Sequence, residues 1–292
     1  MSAPRLLHSF QPLARRPLSL QQSITFPRNT QILLCRTLFT AAESSLPQAA
    51  RPPLYRRIFS ITTRALVYTT IGFLIAMAPA AAALDSILHP LSDADSLAVF
   101  TPEDDDSATI ESHITSHPLA ASLRSHPDFT ESRPHMKLPP AWRAHNLTAG
   151  TLLGPGRVTV PPLAFAEKGG KSYVQIFHVG SDLCGHVGIV HGGFLATVLD
   201  EGLARCCFAA LPHGVGLTAK LEINYKAPAY AEQVLVLRAT TTKVEGRKAW
   251  VEGHIETLPK GEGEEPTVLA TASALYISPR GAEKMAKVYS VQ

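Results

Sequence analysis

Hydrophobic and polar positions divide the chain into stretches of different rhythm. From Ala65 to Leu84 (ALVYTTIGFLIAMAPAAAAL) no residue is charged, and at ~1.5 Å of rise per residue a helix of that length spans about 30 Å, the thickness of a bilayer's hydrocarbon core. Thr69, Thr70 and Gly72 dilute the run, and Pro79 is predicted to kink or end the helix. Further on, Ile110, Ile114, Leu119 and Leu123 recur at helical spacing and predict one short amphipathic helix over 107–126, inside an acidic linker covering 85–144.

From about residue 145 to 278 the pattern becomes that of one domain with strands on either side of a single helix. Thr151–Phe165, broken by Pro161 and Pro162, and Ser172–Val179 precede the helix; Gly216–Lys226, Gln233–Thr242, Arg247–Thr257 and Thr267–Ile277 follow it. In Gly216–Lys226 the apolar set Leu217, Ala219, Leu221, Ile223 and Tyr225 alternates with Thr218, Lys220, Glu222 and Asn224, the period of a half-buried strand. The short breaks at Glu245-Gly246 and Gly261–Pro266 suit antiparallel hairpins. The fold class is therefore α+β, one helix against an antiparallel sheet of five or six strands, with a C-terminal tail over 279–292.

That helix begins at Gly192 or Gly193 and runs to about Ala210, where Pro212-His213-Gly214 stops it. Leu195, Val198, Leu199, Gly202, Leu203 and Cys206 form its core-facing stripe. Asp200 and Glu201 sit mid-helix beside that stripe, where a charge needs a reason: a partner such as Arg205, or chemistry.

Charge then separates the N-terminal segment from the rest. Lysines and arginines number 27 against 24 acids, but residues 1–64 hold nine arginines, no lysine and one acid, Glu43. That Arg- and Ser-rich, acid-poor composition is the mark of a mitochondrial transit segment. Because the positive charge lies on the part least suited to fold, nucleic-acid binding is set aside. Arg56, Arg57 and Arg64 precede the apolar run and Asp85, Asp93 and Asp95 follow it. Retained as a single-pass anchor in the inner membrane, the run would place the N-terminus in the matrix; cleaved with the presequence, it would leave a soluble protein. Cys35, Cys184, Cys206 and Cys207 make no disulfide framework. His186 and His191 have no Cys or acid at the spacing of a tetrahedral metal site, and Gly154-Pro155-Gly156 reads as a turn.

The block Gly188-Ile189-Val190-His191-Gly192-Gly193, continued to Asp200-Glu201, and the later Thr218-Ala219-Lys220-Leu221-Glu222-Ile223-Asn224-Tyr225 resemble the hotdog-fold acyl-CoA thioesterases, in the branch of the PaaI-like and mitochondrial thioesterase-superfamily proteins. The resemblance covers 145–278. It implies a long central helix wrapped by a curved antiparallel sheet, a homodimer or dimer of dimers with the site at the interface, an acyl-CoA substrate and no cofactor. It also implies Asp200 as general base or nucleophile, Thr218 as the hydroxyl that places the attacking water, and His191 in a structural or carbonyl-orienting role.

Helix geometry supports part of that picture independently. A helix N-terminus carries unpaired N–H groups, so Gly192 and Gly193 could form an oxyanion hole for the thioester. Asp200 lies nine residues after His191, about 13 Å along the axis at ~1.5 Å per residue, so a site using both would need two subunits. His186, Asn224, Lys220 and Lys226 are substrate-binding candidates, with Arg247 and Lys248 as further cations for coenzyme A phosphates. Related enzymes often carry Asn six residues before the His; here that position is Gly185, for which His186 could substitute. A non-catalytic acyl-binding or scaffolding subunit and a hydroxyacyl-CoA dehydratase are the alternatives on the same fold.

Overall fold

The structure is a computed structural model that describes residues 53–88, 90–259, 261 and 263–285. The reading of residues 1–52 as presequence, including Cys35, and the end of the tail at 286–292 lie outside the described residues. The chain divides into two compact units, residues 1–61 and 62–292. Of the first, the described part is Pro53 and the opening of α1 (Leu54–Leu88), and the rest of α1 belongs to the second. This helix contains the whole apolar run, its side chains are exposed from Leu54 to Leu84, and it is long and apolar enough to cross a membrane. Of the two expected outcomes at Pro79, an end to the helix does not occur. The proline forgoes one backbone donor and the helix continues through to Leu88.

The second unit departs from expectation over 85–144. Three helices form there, α2 (Asp93–Ala98), α3 (Asp105–Ser116) and α4 (Pro118–Ser125), followed by β1 (Phe129–Ser132) and the single turn α5 (Pro140–Arg143). The acids that suggest a linker are helix starts. Ser92 caps α2 by accepting from the Asp95 amide at 3.1 Å, and Asp104 caps α3 by accepting from the Ser107 amide at 2.6 Å. Asp93, Asp95, Asp105 and Asp106 occupy first turns, where the helix dipole favours negative charge. The expected single helix over 107–126 is two, because Pro118 forces His117 into an extended conformation.

The remaining elements are β2 (Leu163–Glu167), β3 (Ser172–Val179), β4 (Cys184–His186), β5 (Ile189–Val190), α6 (Gly192–Phe208), β6 (Leu217–Tyr225), β7 (Gln233–Glu245), β8 (Lys248–Thr257) and β9 (Val268–Ile277). Seven strands in the order β1-β2-β3-β7-β8-β9-β6 form one antiparallel sheet, and β4 and β5 form a separate short ribbon. The hotdog layout is present, with β1 as an added strand at one edge. The predicted strand over Thr151–Phe165 survives only as β2. Upstream of it, Asn146 Oδ1 accepts from the Thr148 and Ala149 amides and winds Leu147–Thr151 into a wide helical turn, while Pro161 and Pro162 supply no ladder donors.

Both faces of the sheet's central strands are buried. On one, Tyr173 and Phe177 of β3 and Leu235, Leu237 and Ala239 of β7 pack with Leu195, Val198, Leu199 and Leu203 of α6. On the other, Val174, Ile176 and Val236 pack with Ile114 and Ala120 of the N-terminal helices. The approach of α6 is close: a Cβ at Gly202 would lie 2.6 Å from Leu237 Cδ1.

Candidate active site

Two features of β6 decide what faces α6. Among the described residues it is the last strand of the sheet, paired on one side only with β9. Its register also shifts between Thr218 and Lys220, a bulge opposite Tyr276 and Leu275. The extra residue resets the alternation. Leu221 and Ile223 pack into the helix-side core, and Thr218 reaches the helix as well, donating its hydroxyl to Asp200 Oδ1 at 2.8 Å. The expected polar face of Thr218, Lys220, Glu222 and Asn224 is therefore corrected: Thr218 is separated from the other three by the bulge.

Asp200 is half-buried, and its backbone carbonyl accepts from the Tyr276 hydroxyl at 2.7 Å. Tyr276 is fully buried, which pushes its hydroxyl pKa well above the usual value and keeps it a donor. Arg205, the candidate partner of Asp200, instead serves the neighbouring acid. Glu201 accepts from Arg205 Nε at 3.2 Å and lies 3.3 Å from His135 Nε2. Burial alone would raise the Glu201 pKa, but Arg205 and His135 outweigh it and hold the carboxyl well below the ordinary range. Adjacent acids on α6, about 100° apart around its axis, thus have separate surroundings: Glu201 in a buried charge network, Asp200 beside a strand hydroxyl.

At the start of α6, His191 is the N-cap. Its Nδ1 accepts from the Gly193 amide at 2.9 Å, so the neutral ring carries its proton on Nε2. The Gly193 N–H is thereby occupied, which narrows the expected two-amide oxyanion hole. Among the described residues the Gly192 N–H meets no acceptor, and it is the donor left for a ligand. The imidazole lies against Gly185, where a Cβ would come within 2.6 Å of His191 Cδ2. Glycine at 185 and the seat of His191 are one arrangement. His186, one residue on, is exposed in the ribbon β4–β5, where its side chain has no polar partner among the described residues.

The other binding candidates spread along β6 and beyond. Lys220 Nζ pairs with Glu222 Oε2 at 2.9 Å, and Lys226 is exposed just past the strand. Asn224 lines a polar groove of about 620 Å³ with Arg238, Glu252, His254, Thr271 and Ser273. Arg247 donates to the Ser278 carbonyl at 2.6 Å. Burial pushes the Cys206 and Cys207 thiols up to about 11 and about 12, which leaves both inert as nucleophiles.

A family model described as the thioesterase superfamily matches residues 187–264, the stretch from the tip of the β4–β5 ribbon through α6 to β8 and its following loop. An uncharacterized protein of Schizosaccharomyces pombe is 38% identical over 170 residues, covering 58% of this chain and 93% of its own length. The chain belongs to the thioesterase superfamily. A mitochondrial uncharacterized protein of Candida albicans is 33% identical over 134 residues, 46% of this chain and 60% of that one. The acyl-coenzyme A thioesterase THEM4 of Mus musculus is 37% identical over 113 residues, 39% of this chain and 46% of its own. Within this thioesterase-superfamily chain, His191, Gly192, Asp200, Thr218 and Tyr225 fall inside the matched stretch, whereas Gly185, His186 and the N-terminal helices lie outside it.

Sequence reasoning missed three residues beside these groups: His135, Tyr225 and Tyr276. Two gave a signal. Tyr225 and Tyr276 each stand in an apolar register of a strand, where a tyrosine brings a hydroxyl toward the packed side; for the buried Tyr276 that hydroxyl needs an acceptor. The acceptors are main-chain carbonyls of α6, Gly192 O for Tyr225 and Asp200 O for Tyr276.

Proposed function

We propose that this chain is an acyl-CoA thioesterase, hydrolysing a fatty acyl-CoA to the free acid and coenzyme A, held in a mitochondrial membrane by α1 and active as a homodimer. The carrying observation is the contact of Thr218 with Asp200 on the same helix whose first turn offers the Gly192 N–H. A water attacks the thioester carbonyl as Asp200 takes its proton. The Gly192 N–H stabilises the oxyanion; collapse expels the thiolate of coenzyme A, which receives the proton from Asp200. Thr218 fixes the carboxylate through Oδ1 and leaves its own lone pairs for the water. The relative named as an acyl-coenzyme A thioesterase supports the substrate class.

Two subunits are required because Gly192 and Asp200 are eight residues apart on one helix, about 12 Å at ~1.5 Å per residue. A single thioester cannot meet both from the same copy. The open edge of β6, with Leu217 and Tyr225 more than half exposed, supports a second copy beside it. The Arg-rich segment before α1, the exposed apolar length of α1 and the relative named mitochondrial support the location.

The deciding experiment is coenzyme A release from short, medium and long acyl-CoAs by the detergent-solubilised full-length protein, with Asp200→Asn in parallel. Release that Asp200→Asn abolishes is expected. A folded dimer that releases nothing from any chain length would leave a non-catalytic acyl-binding subunit as the better account.

A further inference from the structure

Gly192 opens α6 without a Cβ, so its own side chain restricts neither of its backbone torsions. A donor on such a residue is aimed only if neighbours hold the peptide groups around it. Two side chains from different elements hold the one that follows it. The Tyr225 hydroxyl of β6 donates to the Gly192 carbonyl at 2.8 Å, and His191 Nδ1 accepts from the Gly193 amide at 2.9 Å. That carbonyl and that amide belong to the same planar peptide unit, so the Gly192–Gly193 peptide is gripped at both ends. The Tyr225 ring also lies 3.3 Å from where a Gly192 Cβ would stand, and Gly185 provides the bare backbone on which the imidazole rests.

The bond from Tyr225 is not forced by burial. The residue is 54% exposed, so its hydroxyl could be satisfied by water. The bond anchors the peptide on one side of the Gly192 Cα; on the other side the His191 carbonyl, in the same planar unit as the Gly192 N–H, accepts from the Phe194 and Leu195 amides at 2.9 and 3.4 Å, and the Gly192 N–H itself meets no acceptor among the described residues. An oxyanion donor is effective when it is held in place before the charge develops, and with the peptides on both sides of its Cα held, Gly192 has little freedom to swing its N–H away.

We propose that Tyr225 and His191 clamp the Gly192–Gly193 peptide and so aim the Gly192 N–H at the thioester carbonyl, with Tyr225 as a positioning residue and Gly185 as the seat that admits the imidazole. This rests on the thioesterase reading and adds to it a residue pair that sets the strength of carbonyl polarisation.

The test uses the full-length protein and an acyl-CoA labelled with carbon-13 at the thioester carbonyl, bound to the Asp200→Asn variant so that it is not consumed. Infrared spectroscopy reads the hydrogen bond on that carbonyl directly. The expected result is a carbonyl stretch lowered on binding, with much of the lowering lost on adding Tyr225→Phe, which keeps the ring and removes only the hydroxyl. In the active background Tyr225→Phe should lower kcat about tenfold with KM unchanged, a fraction of the 10²–10³ expected for losing an oxyanion donor outright. Gly185→Ala, which displaces the imidazole, should have a similar effect that disappears when His191→Ala is already present. A bound carbonyl equally shifted with and without Tyr225→Phe, or a kcat within about twofold of the unsubstituted protein, would overturn the clamp alone. A chain that neither binds nor hydrolyses the probe would overturn the thioesterase reading and the clamp with it.

Discussion

Thr218 donates to Asp200 Oδ1 across 2.8 Å from the far side of a β-bulge that the even alternation of β6 hides. Without the extra residue, Thr218 would share the outward face of Lys220 and Glu222 and Asp200 would lack its partner. The bulge is thus what converts a strand residue into part of the candidate site, a recurring use of such irregularities.

Replacing Thr218 with Val keeps shape and β-propensity and removes the hydroxyl. We expect kcat to fall about tenfold or more with the fold intact, since one hydrogen bond to a charged group is worth ~1.5–3 kcal/mol. Steady-state kinetics beside circular dichroism would check this, and a kcat equal to the unsubstituted value would remove Thr218 from the mechanism.

How much was legible in the sequence follows from which signals are local. The start and end of α6 and five of the seven strands of the main sheet follow from periodicity and turn residues, and the resemblance pointed to Asp200 and Thr218. The bulge was not legible, because a period of two continues on either side of it and only the pairing with β9 places the slip. Nor were the N-terminal helices. Glu103-Asp104-Asp105-Asp106 has the composition of a solvated linker, yet Asp104 is an N-cap and the next two acids fill a first turn. The strap Arg133-Pro134-His135-Met136-Lys137, read as part of that linker, is buried, because Arg133, His135 and Lys137 meet Glu111, Glu201 and Asp93 from three separate helices.

The Glu201 network predicts a pH dependence of stability. Its carboxyl is held below the ordinary value of 4.5 in the folded protein, so the unfolded chain takes up the proton first as pH falls. The stabilisation is complete above the unfolded pKa and is lost progressively at lower pH. Glu201→Gln should therefore cost about 3 kcal/mol near neutrality, as for one partner lost from a buried ion pair, and less at pH 4. Urea midpoints of both proteins at pH 7 and pH 4 would measure it; a gap that stays constant would contradict the assignment.

The second core predicts that the region before residue 145 is structural. Ile114 of α3 is fully buried against the sheet face opposite α6. Ile114→Ala should lower stability by ~2–5 kcal/mol, the range for truncating a core isoleucine. An exposed linker helix would change by ~0.5 kcal/mol or less, so a single denaturation curve separates the two.

The two-subunit site can be tested by complementation. Gly192 is the first residue of α6 and His191 before it is extended, at φ −63° and ψ 128°. Proline is favoured at that first position and demands an extended predecessor, so Gly192→Pro should preserve the helix while removing the candidate donor N–H. Each homodimer, Gly192→Pro or Asp200→Asn, should be inactive. In a mixed dimer one composite site joins the intact Gly192 of one protomer to the intact Asp200 of the other, and the second site carries both defects. Random reassortment of equal amounts makes half the dimers mixed, so about a quarter of the unsubstituted activity should return. If Gly192 and Asp200 acted within one protomer, mixing would return nothing, because every site would keep one defect.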